Sequence, residues 1–346
     1  MSVAYLFGAG ASRKSLPIVS EIPAEYQVFL QRIQALLRSR GLTKFDIPAE
    51  NEDQNAEFYW ERRLLSLFKE FKNGILSHAS IDTYAKKLYL TNKEKLWSYK
   101  FCLSAFLYYS QIQKGADQRY DTFYASILQE NIFNFPKDLR ILSWNYDTQF
   151  EIAYSNYSGS DVMEEAKELL NIISKQDVRS LSNIKNEFNI IKLNGTIGII
   201  DSNSDNTYYL QNRIYGKMKE FDQDDLTALV SSYSDLCKGK NKSCLMSFAW
   251  ENFSGGKNPI LDASKQIIKD VHTLVVIGYS FPYFNRMIDR LLFFSMPDLK
   301  KVYIQDPSAE SLVGKVNELL EFGRPRKVQV VPVINADSFL IPNELN

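Results

Sequence analysis

Residues Val3 to Ser12 read VAYLFGAGAS, five apolar residues that run into two glycines and a serine. An apolar run of this length without polar alternation fits a strand buried on both faces, and the glycines fit a tight turn at its carboxyl end. Five further runs have the same form: LRILSW before Asn145, NIIKL before Asn194, TLVVIG before Tyr279, KVYIQ before Asp306 and KVQVVPV before Ile334. Helical spacing lies between most of them. The alternation predicts an α/β fold, a Rossmann-like doubly wound sheet of six parallel strands, with ligands bound at the carboxyl ends of the strands.

The first two runs are separated by more than a hundred residues. YQVFLQRIQALLRSRG, FYWERRLLSLFKEF, SIDTYAKKLYL and KLWSYKFCLSAFLYYSQIQ fill that gap with apolar residues three and four apart, the spacing of amphipathic helices. The expected organisation is a sheet domain of residues 1–23 and 138–346, with a helical subdomain of residues 24–137 inserted after the first strand. The polar, Gly- and Asn-rich stretch from Asp201 to Pro259 is expected to form a loop or lid with one or two helices.

A chain of 346 residues has room for two domains, and 45% hydrophobic residues supply ample core. Lys plus Arg and Asp plus Glu number 41 each, so no net field attracts a polyanion and direct nucleic-acid binding is not expected as the main function. Two histidines and three cysteines, none in a CxxC pair, exclude a four-cysteine zinc site. Free thiols in a reducing compartment are expected. The segment Met1 to Phe7 lacks the basic and long apolar regions of a signal peptide, and runs such as Leu274–Ile277 and Leu291–Phe294 fall far short of the roughly 18 residues of a membrane span. A soluble, cytoplasmic protein without membrane contact is expected.

The residues suited to chemistry cluster at the strand ends. Gly8 and Gly10 would let a pyrophosphate approach the backbone, although Arg13 stands where a dinucleotide fingerprint has its third glycine; a purely structural turn is nearly as good a reading. Asn145 and Asp147 leave the second strand together in SWNYDTQFE, as hydrogen-bonding groups for a ribose or a water, or as helix caps. Asn194 ends IKLN. In VVIGYSFPYFNRMIDR, Gly278 and Ser280 form another candidate phosphate turn. Arg286 and Arg290 could meet anions there, or form a solvated helix face with Asp289. Asp306 in YIQDPS is placed to accept from a ribose, and Asn335 and Ala336 follow the sixth strand. His272 precedes its strand, at the opposite end of the sheet. His78 lies at a polar junction of inserted helices, where it could fold over the cleft with Asp82 and Tyr84; a helix cap by Ser80 or a satisfied interdomain histidine is the preferred reading, and neither histidine is assigned to catalysis.

In their order and placement these turns resemble the sirtuin family, specifically bacterial sirtuin-like domains that lack the zinc module. FGAGAS, with Gly8, Ala9, Gly10 and Ser12, looks like the turn that holds the cofactor pyrophosphate. Asn145 and Asp147 match the Asn-hydrophobic-Asp element beside the nicotinamide ribose. IGYS, with Gly278 and Ser280, matches the Gly-x-Ser cofactor turn, YIQD with Asp306 the ribose-binding strand end, and Asn335 with Ala336 the adenine-side loop. IKLNG matches the strand end that usually reads Leu-His-Gly, so Asn194 stands in place of the catalytic histidine. The resemblance covers residues 1–23 and 138–346, leaving the helical insertion unmatched.

The resemblance implies NAD as ligand or substrate, no zinc, and an NAD glycohydrolase that releases nicotinamide and ADP-ribose as a bacterial anti-phage defence effector. It further implies action within a homo-oligomer or with a partner encoded nearby. A second reading, favoured by Asn194, is a catalytically silent NAD or ADP-ribose sensor or assembly module; protein deacetylation comes last, lacking both zinc and base. Asn cannot take up a proton near neutral pH, and loss of a general base costs on the order of 100- to 10,000-fold in rate. Nicotinamide nevertheless leaves as a neutral base from an oxocarbenium-like state. Slow hydrolysis is then expected, with Asn145 orienting water or ribose, Asn194 holding ribose hydroxyls and Asp147 orienting Asn145 or a ribose hydroxyl rather than acting as base.

Overall fold

The computed structural model describes residues 2–49, 51–174, 188–201, 207–208, 218–238, 242–253, 258–322 and 327–345. Strand β1 (Val3–Phe7) is followed by helices α1 (Ile22–Ser39), α2 (Tyr59–Leu76), α3 (Ile81–Thr91), α4 (Lys93–Lys114) and α5 (Gln118–Ile127). Next come β2 (Leu139–Ser143), α6 (Gln149–Ser158), α7 (Met163–Leu169), β3 (Ile172–Ile173) and β4 (Ile190–Lys192). The elements β5 (Ile199–Asp201), β6 (Thr207–Tyr208), α8 (Gln223–Cys237) and β7 (Lys242–Cys244) follow. The chain then forms α9 (Pro259–Ile267), β8 (Thr273–Ile277), α10 (Arg286–Phe294), β9 (Lys301–Gln305), α11 (Ala309–Glu321) and β10 (Gln329–Val333). Two compact units result, one of residues 1–15, 116–196 and 247–346, the other of 16–115 and 197–246.

The first unit is the Rossmann-like α/β fold. Among the described residues its sheet has seven strands in the order β10-β9-β8-β1-β2-β4-β3, and every pair is parallel. The six strands expected from the apolar runs are present; the seventh, β3, is a two-residue edge strand too short to carry a pattern. In β1 alternate side chains enter different cores. Ala4 and Leu6 join Val276, Ile288, Leu292 and Val316 on one face, while Val3, Tyr5 and Phe7 join Tyr120, Phe123 and Phe150 on the other. Burial on both faces is the reason that β1 reads as an unbroken apolar run.

Strand β1 is central, with Val3 aligned to Leu139 of β2 and to Thr273 of β8. The chain builds outward through β2 and β4, then restarts on the far side of β1 at β8. Sheets wound this way open a crevice at the carboxyl ends where the strand order reverses. That point is the junction of β1 and β8.

The second unit contains α1–α4 and α8, with the antiparallel strands β6-β5-β7. The four inserted helices are present close to the expected limits, and aromatic contacts bind them, including Tyr26 with Phe71 at 4.7 Å and Phe29 with Phe68 at 5.1 Å. The unit differs from the 24–137 insertion at both ends. Helix α5 belongs to the sheet unit, because Tyr120, Phe123 and Tyr124 pack in the core beneath β1. Conversely α8 joins the helical unit, where Tyr233 meets Trp60 and Phe101. Of the expected loop or lid stretch, residues 202–206, 209–217, 239–241 and 254–257 lie outside the described residues. Among the described residues no helix is long and apolar enough to cross a membrane, and Cys102, Cys237 and Cys244 are free thiols.

Candidate functional site

At the β1–β8 junction two turns meet backbone to backbone. The Gly8 amide donates to the Ile277 carbonyl and the Gly10 amide to the Gly278 carbonyl, each at 2.9 Å. Gly278 has a φ of +57°. A Cβ there would lie 2.4 Å from Ala11 N, one on Gly10 would lie 2.9 Å from Gly278 Cα, and one on Gly8 2.6 Å from Tyr279 Cβ. These glycines allow the two turns to touch. The chain continues as a single 3-10 turn, Ala9–Ser12, not a long helix, and the Ala11 amide donates back to Gly8. Three of the amides expected to cradle a pyrophosphate therefore serve bonds within the protein.

Asn145, Ser12 and Asp147 come together directly below these turns. Asn145 Nδ2 donates to the Gly8 carbonyl at 2.9 Å and to Ser12 Oγ at 3.3 Å, and its backbone amide donates to Ser143 Oγ. A carbonyl partner fixes which way the Asn145 amide faces, because only the NH2 can donate to it. Both amide hydrogens are used. Among the described residues Asn145 Oδ1 accepts no hydrogen bond, so toward a ligand this side chain offers an acceptor.

Ser12 Oγ lies 2.8 Å from Asp147 Oδ2 and 2.9 Å from Tyr120 Oη. One hydroxyl supplies one donor and two acceptor positions, and with Asp147 ionised the assignment closes: Ser12 donates to Asp147 and accepts from Tyr120 and Asn145. Burial holds the Tyr120 phenol well above its ordinary pKa, so it remains a donor. Asp147 Oδ1 accepts the Gln149 amide at 3.2 Å. Burial raises the Asp147 pKa above the usual carboxylate value, while the Lys192 ammonium, the Ser12 hydroxyl and the Gln149 amide pull it down.

Lys192, the last residue of β4, aligns with Ser143 of β2. Its Nζ lies 3.0 Å from Glu151 Oε1 and donates to the Asp147 carbonyl, and the side chains of both Lys192 and Glu151 are 1% exposed. Asn145 and Asn194 each lie two residues past this aligned pair, in the turns that leave the neighbouring strands β2 and β4. Asn194 is 6% exposed; its carbonyl accepts the Ser247 amide at 2.8 Å, while its side-chain Oδ1 is buried without a partner among the described residues.

The residues beyond β8, β9 and β10 are placed along the same edge but make local bonds. Ser280 is exposed and its carbonyl accepts from Lys315 Nζ. Asp306 Oδ1 accepts the Ser308 amide, and Asn335 Oδ1 the Asp337 amide, both at 2.8 Å, which are side-chain turns of the kind Asp and Asn favour. Buried Gln305 holds the loop containing Asn335 and Ala336, donating to the Asn335 and Ser338 carbonyls at 2.6 and 2.7 Å. Arg119 ties that loop to the first turn: it donates to the carbonyls of Gly10, Ala11 and Ala336 and pairs at 2.6 Å with Asp117, the side chains being 7% and 0% exposed. Sequence reading missed Lys192, Glu151, Tyr120, Gln305 and Arg119.

Helix α10 splits the charges that the sequence grouped together. Arg286 pairs with Glu318 on the exposed side and Arg290 stacks over Phe322 at 4.9 Å. Asp289, by contrast, is 1% exposed and turned inward, accepting from the Tyr279 hydroxyl at 3.0 and 2.9 Å. It is therefore not part of a solvated face. Burial pushes its pKa up to about 8 against the pull of Tyr279 and the Trp144 indole. Between the ordinary Asp value of about 4 and this raised one, the unfolded chain releases a proton that the folded protein keeps. Stability attributable to Asp289 accordingly falls as pH rises through that window, by at most about 1.4 kcal/mol per pH unit, and levels off above about pH 8. Asp289→Asn is expected to melt progressively higher than the unmodified protein as pH rises from 5 to 8; parallel melting curves across that range would contradict this.

The histidines lie elsewhere. His272 precedes β8 and donates its amide to Ser2 at the amino ends of the strands. His78, in the helical unit, has Nδ1 2.8 Å from the Gly74 carbonyl and stacks on Tyr84 at 4.7 Å. Among the described residues no group of three or more His, Cys, Asp or Glu is arranged to hold a metal ion. No protein-family model and no curated protein matches the chain.

Proposed function

We propose that the sheet unit binds NAD at the carboxyl edge where β1 and β8 meet, and slowly hydrolyses the bond between nicotinamide and ribose. The observation that carries this reading is the pair of amides at Asn145 and Asn194. Each follows by two residues the end of one of two adjacent strands, one with its NH2 fully used and the other with a buried oxygen that has no partner among the described residues. Two such acceptors complement the donor hydroxyls of a ribose. In this scheme Asn145 and Asn194 hold the sugar as charge develops on it, Asp147 acts through Ser12 to orient Asn145, and water completes the substitution. Depletion of NAD in bacterial defence against phage, set off by a partner or within an oligomer, is the role taken over from the sirtuin-like resemblance.

One observation favours the alternative of a silent NAD or ADP-ribose sensor. Asp147 is buried and accepts from Ser12 and the Gln149 amide, and Asn194 is not basic, which favours a site without a general base. Nicotinamide release from NAD, measured on the purified protein with and without its genomic neighbours, separates the two. Hydrolysis is expected, and Asn145→Ala is expected to reduce it at least 100-fold. A raised melting temperature with ADP-ribose but no nicotinamide release under any of these conditions would leave the sensor.

A further inference from the structure

We propose that Lys192 and Glu151 are positioning residues of this site, a buried ion pair that anchors the Asn145–Asp147 turn from below and sets the direction in which the Ser12 and Tyr120 hydroxyls donate. The ligand-binding role of that turn rests on the reading above; the electrostatic role does not.

The sequence of β4 makes the lysine conspicuous. Ile190, Ile191 and Leu193 around it are all core residues. Lys192 shares a strand face with Ile190, which packs in the aromatic core with Phe150 and Tyr154. An ion pair in such surroundings must overcome desolvation of both charges, and apolar replacement of the pair is often neutral or stabilising. Stability alone does not account for it. Its contacts do: the ammonium joins three elements, as the end of β4, the carbonyl of Asp147 in the turn after β2, and Glu151 in the first turn of α6.

The pair also acts on Asp147 through charge. The titratable and polar groups around this carboxylate are Lys192 from β4, Glu151 from α6, Tyr120 from α5, the Ser12 hydroxyl and the Gln149 amide, with Arg119 and Asp117 beside Tyr120. Lys192 is the strongest influence favouring the charged form, and Glu151 opposes it more weakly. A charged Asp147 can only accept, so Ser12 must donate to it, and the two acceptor positions of Ser12 turn to Tyr120 and Asn145. A protonated Asp147 would itself carry a donor and release Ser12 from that direction. Lys192 thereby favours, through Asp147, the Ser12 orientation that accepts from Asn145, adding a second bond to the one by which the Gly8 carbonyl holds that amide.

The test replaces the pair by apolar residues, Lys192→Met with Glu151→Leu, and uses Glu151→Gln as a second variant that keeps the cation. In each background the melting temperature is compared with and without Asp147→Asn from pH 4 to 9. Because the Asp147 pKa is raised by folding, its contribution falls with rising pH and then levels off. The levelling point is expected to move up by at least one pH unit in the apolar pair and down in Glu151→Gln. NAD cleavage, measured in parallel, is expected to lose at least tenfold in kcat in the apolar pair with a smaller change in KM. Unmoved levelling points in both variants overturn the proposal, as does unchanged kcat where the unmodified protein cleaves NAD. Shifted levelling points in a protein that never cleaves NAD would support the electrostatic role and defeat the hydrolase reading instead.

Discussion

Gly278→Ala is expected to destabilise the sheet unit by about 2–5 kcal/mol, combining left-handed strain of roughly 1–2 kcal/mol with overpacking of roughly 1–3 kcal/mol. The new methyl group would point at backbone atoms of Gly10 and Ala11, which have no rotamer by which to withdraw. The turns after β1 and β8 would have to separate, breaking the bond from the Gly10 amide to Gly278. Gly159 supplies the control. It ends α6 with a φ of +71°, and nothing lies within 4 Å of the place a methyl group would take there, so Gly159→Ala carries the strain alone, about 1–2 kcal/mol. Urea unfolding of both variants measures the difference. Equal losses would show that the contact of the two turns contributes nothing.

Arg119→Ala carries the second large expected effect, a loss of about 3–5 kcal/mol, because it leaves the fully buried Asp117 carboxylate without its counter-charge. The same change removes the donor to the carbonyls of Gly10, Ala11 and Ala336. Asp117 itself caps α5, accepting the Arg119 amide at 3.1 Å, and also accepts the Lys14 amide. Arg119→Met combined with Asp117→Asn keeps a side-chain cap and removes both charges, so the double variant is expected to be more stable than Arg119→Ala. Denaturant midpoints rank the two. Both variants lack the bonds from Arg119 to the carbonyls, so a double variant no more stable than the single one would show that the stranded Asp117 charge is not the source of the loss.

Much of the fold was legible because strands covered on both faces leave uninterrupted apolar runs, and six of them stood out against polar turns. The two-residue β3 has no pattern to leave. Helix α5 escaped because QKGADQRYD looks like a polar break; the aspartate is in fact a helix cap and the arginine folds inward onto backbone carbonyls. Helix α8 is one of the one or two helices expected in the polar stretch, without limits that the weak periodicity could supply; Asp222 and Asp225 form a capping box at its start. Asn145, Asp147 and Asn194 were legible as polar residues at the ends of parallel neighbours. Lys192 left one signal, a charge at a core position of an apolar strand, but its partner Glu151 lies on another element, and one-dimensional spacing does not join them.

The central place of β1 also sets a timetable for folding. Its two neighbours in the sheet begin at Leu139 and Thr273, and at ribosomal rates of about 5–20 residues per second the second of them emerges roughly 13–53 s after β1. Throughout that interval VAYLF is a fully apolar strand with an open edge, the kind of segment that pairs readily with other chains. The helices that follow it in sequence belong to the other compact unit, and its lasting neighbours arrive late. Slow translation or scarce chaperone capacity should therefore lower the yield of this protein before any defect in the finished fold could be measured.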